Sequence, residues 1–327
     1  MKKIHFIHRI ANVNAGDLNC CPLSYYYDFF KDYNVLKHDI WNIDYSEISG
    51  EDIVILGGGG MLYVEENFQE NINRLLNLCK NVIGWSIGFN THSDRPIRTQ
   101  IDLTKFALLG IRDFAHPSKI SYLPCVSCKH SDFYTFKNTE IKREIGIVEH
   151  KYFPVIKDLE FERIDNSFNF VEIIKFIASS KIIITSSYHL TYWATLMEKK
   201  VIVDNPFSTK FKFFKHKPIF YSGNLGRDIS SAKIYPNALK EAIELNDKFF
   251  EKVKKIVVSV IPKKSNEQTS IFLMNRDSII EQRLQELQRR IDNKAKFIPK
   301  PLGKICCWFI LKKKNRDRFC KKYVKGY

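Results

Sequence analysis

The sequence predicts an α/β protein made of two Rossmann-like parallel-sheet domains followed by a helical, basic C-terminal tail. Short apolar runs alternate with amphipathic stretches through the first two thirds of the chain, which is the pattern of parallel strands joined by crossover helices. The 327 residues suffice for two domains of about 150 residues each. No run of roughly 18 or more apolar residues could cross a bilayer as a helix. We therefore place the first domain at 1–138, the second at 139–262 and the tail at 263–327.

The first domain begins with a strand. His5 and His8 interrupt the apolar stretch at the N-terminus, and no small-residue cleavage site follows, so we interpret it as a strand rather than a signal peptide. Further apolar runs and helical spacings continue the alternation. The predicted strands are 4–7, 53–56, 82–87 and 106–111, and the predicted helices are 22–31, with Pro22 at an early helical position, and 65–79.

A polar stretch at 131–143 interrupts this series, and a new one follows. The predicted strands are 144–149, 181–185 and 201–204, and the predicted helices are 170–179 and one from about Tyr188. The renewed alternation predicts the second α/β domain.

The net charge of +16 is concentrated near the C-terminus. Residues 294–327 contain ten Lys and two Arg against one Asp, a net charge of +11, which leaves +5 for the rest of the chain. A nucleic-acid-binding protein spreads its basic residues over a folded face. The distribution therefore predicts no nucleic-acid partner.

The eight cysteines favour a reduced, cytoplasmic protein, because no signal peptide is recognisable. Cys125 and Cys128 have the CxxC spacing of zinc and thioredoxin-like sites. No second CxxC or HxxxH lies at a spacing that would complete four ligands. We predict no metal site and keep zinc as the less favoured alternative.

Ligands of open parallel sheets gather beyond the carboxyl ends of the strands, so the residues that follow each strand are site candidates. Gly58, Gly59 and Gly60 follow the strand at 53–56. Glycines there let backbone N–H groups approach a ligand, and the next helix adds partial positive charge for an anion. A tight turn that needs positive φ is an equal alternative.

Two further candidates follow strands of the first domain. Gly16 permits a turn after the first strand, and Asp17 either caps the next helix, which we favour, or binds a sugar hydroxyl. Arg112 ends the strand at 106–111, where its guanidinium could bind phosphate or carboxylate through two parallel hydrogen bonds. A structural ion pair with Asp113 is an equal alternative.

In the second domain, Ser186, Ser187, Tyr188 and His189 join the strand at 181–185 to a helix. Their hydroxyls and imidazole would face the cleft between the domains. A lone histidine is more often structural, but its place at a strand-to-helix turn favours a function. No Ser-His-Asp triad is implied, because Ser187 is not in a GxSxG elbow.

These motifs, in this order, resemble the polysaccharide pyruvyl transferase family over roughly residues 4–210. The matching segments are NAGD (14–17), DIVILGGGGMLY (52–63), NVIGWSIGF (81–89), GIRDF (110–114), LPCVSC (123–128) and TSSYHLTYWATLMEKKVIV (185–203). The resemblance implies a two-domain fold similar to that of GT-B glycosyltransferases. It also implies transfer of a pyruvyl group from phosphoenolpyruvate to a glycan of capsule or lipopolysaccharide, with no cofactor.

The resemblance gives Arg112 and His189 catalytic roles at the donor. We predict that His189 is the principal proton-transfer residue, with an ionisation between about pH 5.5 and 7.5. The predicted donor-binding residues are Gly16, Asp17, Gly58, Gly59, Gly60, Arg112, Ser186, Ser187 and Tyr188.

One position departs from the family pattern. Where the family commonly has Ser-Arg-Leu-His, this chain has Ser187 in place of the arginine. The lost cation is worth about 2–3 kcal/mol as a charged hydrogen bond. A GT-B-type glycosyltransferase is therefore an alternative, with the nucleobase and ribose of a nucleotide-sugar near Tyr188 and His189. A non-catalytic membrane scaffold is a third hypothesis.

The tail predicts contact with a membrane surface. Residues 267–294 form a heptad-like seam, which packs on the protein's own body in the favoured interpretation and forms a coiled-coil dimer in the other. Beyond it, the apolar cluster 305–311 is followed directly by the lysines 312–314. Such a segment suits the interface of an anionic membrane. We expect a peripheral protein at the cytoplasmic face, acting on a glycan or lipid-linked glycan.

Overall fold

The computed structural model describes residues 2–10, 12–63, 66–91, 100–155 and 159–261. All of them belong to the first of two compact units, Met1–Met274 and Asn275–Tyr327. The predictions for the heptad-like helix and for the basic apolar segment fall outside the described residues.

The first lobe is a five-stranded parallel sheet with its helices. Its strands and a short accessory pair are β1 (Ile4–His8), β2 (Val35–Asp39), β3 (Ile53–Gly57), β4 (Leu62–Tyr63), β5 (Asn81–Ile87), β6 (Phe89–Asn90) and β7 (Leu108–Ile111). The order in the sheet is β2-β1-β3-β5-β7, and β4 pairs with β6 outside it. Every residue of β1 and β3 is buried, as expected for strands covered on both faces.

The second lobe repeats this arrangement. Its strands are β8 (Arg143–Glu149), β9 (Arg163–Asp165), β10 (Ser180–Thr185), β11 (Lys200–Val203) and β12 (Ile219–Phe220), all parallel to their neighbours. The order is β9-β8-β10-β11-β12. Counted from its own first strand, each sheet has the order 2-1-3-4-5, a doubly wound topology in which ligands bind at the switch point beside strand 1. The switch points are therefore β1/β3 and β8/β10.

The described residues contain eight α-helices, of which the last two follow the final strand. They are α1 (Ala15–Leu18), α2 (Tyr27–Phe30), α3 (Glu66–Leu78), α4 (Asp132–Thr135), α5 (Phe170–Ala178), α6 (Tyr188–Leu196), α7 (Leu225–Ser231) and α8 (Ala238–Val260). The start of α5 is fixed by a capping box, in which Asn169 and Glu172 each bind the other's backbone N–H. None of these helices is both long and apolar enough to cross a membrane.

The predicted α/β class is confirmed, and seven predicted strands agree with β1, β3, β5, β7, β8, β10 and β11 to within one or two residues at each end. The predicted helix at 22–31 is wrong as one element. A 3₁₀ turn at Pro22–Ser24 is followed by the separate helix α2. The break lets the Tyr25 hydroxyl donate to the Asn19 carbonyl and the Tyr26 hydroxyl donate to Asp247.

Helix α8 returns the chain from the second lobe to the first. Its Phe249, Val253 and Val257 belong to the same buried cluster as residues of β1, β3 and β5. Asn246 of α8 accepts a hydrogen bond from the Trp85 indole at 2.9 Å. The last helix of the segment 139–262 therefore packs on the sheet of the first lobe.

Candidate functional site

The switch points of the two sheets meet at a closed cleft. Gly16 follows β1 and lies against His189, so closely that a Cβ at residue 16 would collide with the imidazole. The Ala15 amide donates to the Asn166 carbonyl at 2.8 Å, and the Thr209 amide donates to the Thr91 carbonyl at 3.0 Å. The loops that carry the predicted site residues are thus brought together from both lobes.

Asp17 is not a helix cap. Asn14 caps α1 by accepting from the Gly16 amide at 2.9 Å, so the favoured role for Asp17 is wrong. Asp17 instead accepts from the Asn12 amide group at 2.8 Å, and its other oxygen lies beside Gly59. Burial raises the pKa of Asp17, while the hydrogen bond from Asn12 and the charge of Lys210 oppose that rise.

The three glycines after β3 have both structural and ligand-binding features. A Cβ at Gly58 would collide with Cys20, a Cβ at Gly60 would collide with Asn90, and Gly59 has φ of +82°. Close packing and a left-handed turn therefore explain the residue type. No described residue accepts a hydrogen bond from the Gly59 or Gly60 amide. Two backbone donors thus remain available for a ligand.

Arg112 is a buried cation that forms no ion pair with any residue that the structure describes. Its side chain is 2% exposed, and its Nε has no hydrogen-bond partner among the described residues. Asp113 accepts from the Phe89 amide at 2.9 Å through one oxygen, while the other oxygen has no described partner. Burial raises the pKa of Asp113 to about 6, although the charge of Arg112 lowers it. The alternative of an Arg112–Asp113 ion pair is therefore wrong.

The ring of Tyr188 supports Arg112. The guanidinium carbon lies 4.1 Å from the ring centroid, and Phe214 stacks on the ring at 4.4 Å with an interplanar angle of 17°. These two partners occupy the two faces of the ring, so a nucleobase cannot stack there. Tyr188 positions the guanidinium by a cation–π contact. Both residues line a recess of about 20 Å³, the room of about one water molecule.

His189 is a buried imidazole that the surroundings keep neutral. It is 6% exposed, and its Nε2 has no partner among the described residues. Burial, followed by the charges of Arg112 and Lys210, lowers the pKa of His189 well below its ordinary value. The expected ionisation between about pH 5.5 and 7.5 is therefore wrong for the ligand-free protein, because two cations and the closed cleft disfavour the imidazolium.

The two serines before α6 differ in their surroundings. Ser186 accepts from the His150 amide at 2.9 Å, which ties the end of β10 to the end of β8 across the switch point. Ser187 is the N-cap of α6, but its hydroxyl caps no backbone N–H. A serine at this position usually does so. The Ser187 hydroxyl and the helix N-terminus therefore remain open to an anion.

Sequence reasoning missed Lys210. It lies in a 3₁₀ turn, Thr209–Phe213, beyond β11, and its charge acts on Asp17, Asp113 and His189. Burial and the charge of Arg112 lower the pKa of Lys210 to about 7. The one signal in the sequence was a lysine among phenylalanines in the loop that follows a parallel strand.

Cys125 and Cys128 form the CxxC pair for which zinc was the less favoured alternative. Cys125 and Cys128 are buried free thiols, and burial raises the pKa of both. Among the residues that the structure describes, no group of three His, Cys, Asp or Glu side chains could hold a metal ion. The cations and backbone amides of this site can bind an anion, and the His189 imidazole and the Asp113 carboxyl group can transfer a proton.

Comparison with family models finds no match, and neither does comparison with curated protein sequences. Among solved structures, the chain is similar to a functionally uncharacterised protein of Klebsiella pneumoniae (19% identity, 62% of this chain, 82% of that chain, TM-score 0.40). It is also similar to UDP-GlcNAc 2-epimerase of Methanocaldococcus jannaschii in complex with UDP-GlcNAc and UDP (10% identity, 79% of this chain, 100% of that chain, TM-score 0.44). A third similar structure is an alpha-glucosyltransferase in complex with UDP and DNA (11% identity, 85% of this chain, 99% of that chain, TM-score 0.37). The chemistry of the site rests on its own side chains.

Proposed function

We propose that the protein is a transferase of cell-surface polysaccharide assembly that moves a pyruvyl group from phosphoenolpyruvate to a glycan. The observation that carries this proposal is Arg112, a buried guanidinium with no ion pair among the described residues. An unpaired buried charge costs several kcal/mol. A site that keeps one is suited to an anion that arrives with the substrate.

The surroundings of Arg112 suit phosphoenolpyruvate in particular. The donor is small and carries a carboxylate and a phosphate, each of which can accept two parallel hydrogen bonds from a guanidinium. The amides of Gly59 and Gly60 and the open N-terminus of α6 add uncharged donors for the remaining oxygens.

The titratable groups suit the proton transfers of this reaction. One acceptor hydroxyl adds to the carbon that bears the phosphate, its proton passes to His189, and the vinyl carbon gains a proton to become a methyl group. Asp113, with a pKa of about 6, is suited to donate that proton. A second hydroxyl then displaces phosphate. The ketal forms as the carbon–oxygen bond to phosphate breaks, and the proton of the second hydroxyl leaves with the phosphate.

A glycosyltransferase that uses a nucleotide-sugar is the second candidate. A diphosphate would fit the same cation and amides. Tyr188 is covered on both faces, but His150, Phe153 and Phe207 cluster beyond β8 and β11, with the Phe153 and Phe207 rings stacked at 4.0 Å. Aromatic side chains of this kind bind nucleobases by stacking.

The acceptor that we propose is a glycan or lipid-linked glycan at the cytoplasmic face of the membrane. The support is the basic segment 294–327, whose lysines would each contribute about 1 kcal/mol near an anionic surface. Flotation of the full chain with vesicles of anionic or neutral lipid measures this directly, and equal binding to both would contradict it.

A thermal-shift screen tests the donor class. Phosphoenolpyruvate is compared with UDP-, CMP- and GDP-sugars at one common concentration, and a ligand present at about 100 times its dissociation constant adds about 2.7 kcal/mol of stability. For a protein of this size, Tm rises by about 2–4 °C per kcal/mol. We expect the shift with phosphoenolpyruvate. A shift with nucleotide-sugars alone would favour the second candidate, and no shift with any donor would contradict both.

A further inference from the structure

The second lobe contributes a cation, Lys210, from a 3₁₀ turn that the sequence did not single out. The family resemblance leads us to expect an arginine two residues before His189, but this chain has Ser187 at that position. Lys210 comes instead from the turn after β11. That turn is held to the first lobe by the Thr209 amide on the Thr91 carbonyl at 3.0 Å and by the Ser208 hydroxyl on Asn90 at 2.6 Å. Its position in the cleft is therefore fixed by both lobes.

Lys210 is held among aromatic rings rather than carboxylates. Its Nζ lies 4.7 Å from the centroid of Phe207 and 5.8 Å from that of Phe211. It forms no ion pair with any described residue. The rings restrict the ammonium group by cation–π contact without neutralising it. A second positive charge is thus kept beside the site with no partner of its own.

We infer that Lys210 is the second anion-binding cation of the donor site and contacts the donor from the second lobe while Arg112 contacts it from the first. This inference rests on the proposed function and narrows it. Two cations from separate lobes require a donor with at least two negative charges close together, such as a carboxylate and a phosphate or the two phosphates of a diphosphate. A singly charged donor would leave one cation unpaired.

The electrostatics agree with this arrangement. Burial disfavours the charge of Lys210 and Arg112 repels it, so the pKa of Lys210 falls to about 7, while Asp17 and Asp113 oppose the fall. A bound dianion reverses the balance, because it favours the charged ammonium group. Donor binding near pH 8 should therefore take up a proton at Lys210.

The first experiment compares dissociation constants for phosphoenolpyruvate in the full chain by isothermal titration. Lys210→Met should weaken binding by about 10- to 150-fold, the range of a charged hydrogen bond. Lys212→Met is the matched control, because Lys212 is an exposed lysine in the same turn and should change binding by less than about twofold. Equal dissociation constants for the two variants would overturn the inference.

The second experiment separates a charge role from a packing role by the pH dependence of binding. Between pH 7.5 and 9 the donor's charge is constant, because its phosphate titrates near pH 6. Wild-type affinity should fall by up to about tenfold per pH unit as Lys210 loses its proton. Lys210→Arg keeps its charge and should bind with little pH dependence. Any contribution from Arg112, Asp17, Asp113 or His189 persists in this variant, so the difference between the two profiles belongs to Lys210.

The outcomes are distinct. If wild type binds phosphoenolpyruvate and the Lys210→Arg profile falls as steeply as the wild-type profile, the inference is wrong while the proposed function stands. If wild type binds neither phosphoenolpyruvate nor a nucleotide-sugar, the proposed function and the inference both fail. A steep wild-type profile beside a flat Lys210→Arg profile establishes the inference, even if Lys210→Met does not fold.

Discussion

The two lobes have the same strand order but equip their halves of the cleft differently. The first lobe offers the backbone amides of Gly59 and Gly60 together with the Arg112 guanidinium directly after β7. The second lobe offers side chains: the His189 imidazole and the Lys210 ammonium group. Topology thus fixes where a ligand meets the sheets, and the residues at each switch point decide what can happen there. The two halves of the cleft therefore differ in the polar groups that they present.

The largest effect should come from the second lobe. His189→Asn can keep a hydrogen bond but cannot carry a proton, so it should fold normally, bind donor nearly as well and lose turnover by about 100- to 10,000-fold. Steady-state rates with phosphoenolpyruvate and a glycan acceptor measure this. Near-wild-type turnover would mean that His189 only positions substrate.

The pH profile of turnover sharpens the same point. Because burial, Arg112 and Lys210 lower the pKa of His189, the acid limb of kcat/KM, which reports the free enzyme, should lie below the ordinary histidine range. An acid limb that persists in an active His189→Ala enzyme would assign the proton to another group. His116 or His130 is then the next residue to test.

The first lobe should show its role in affinity rather than in rate. Arg112→Gln removes the buried cation and should weaken donor binding by about 1–3 kcal/mol, as expected for a charged hydrogen bond. Arg112→Lys should recover only part of the loss, because lysine lacks the planar fork and the stacking contact with Tyr188. Titration calorimetry measures the donor affinity of each variant, and circular dichroism checks that each variant is folded. Unchanged affinity in a folded variant would make Arg112 structural.

A smaller effect should appear in the acid stability of the first lobe. His38 donates to or accepts from His5 at 2.9 Å, and burial, followed by repulsion from His5, lowers the pKa of His38 to about 4. In the unfolded chain His38 takes up a proton near pH 6.5, whereas in the folded protein it does so only near pH 4. The free energy of unfolding is therefore unaffected by His38 above about pH 6.5 and decreases as the pH falls from there toward 4. His38→Gln should reduce the slope of unfolding free energy by up to about 1.4 kcal/mol per pH unit in this window. An unchanged slope in urea titrations would contradict it.

Local patterns in the sequence predicted the strands that carry the site, because continuous apolar runs such as IVILG of β3 are typical of central parallel strands. They missed β2, whose VLKHD has just two apolar residues, and its partly exposed position at the edge of the sheet explains why. They also missed the return of α8 to the first lobe. That packing depends on Asn246 meeting Trp85 across 161 residues, which no local pattern encodes.

The same limit applies to the site. Arg112 and His189 could be singled out because each follows a strand, but their chemistry depends on long-range burial. The pKa of His189 is set by Arg112 and Lys210, which belong to different elements, and its closeness to Gly16 depends on how the lobes meet. Lys210 could not be recognised as a site residue until the turn after β11 was seen against Asn90 and Thr91.

The most direct test of the central claim is a crystal structure of the protein with phosphoenolpyruvate bound. We expect the donor in the cleft, touching Gly58–Gly60 and the Arg112 guanidinium on one side and Ser187–His189 with Lys210 on the other. A donor seated elsewhere, with Arg112 still unpaired and the cleft empty, would contradict the account.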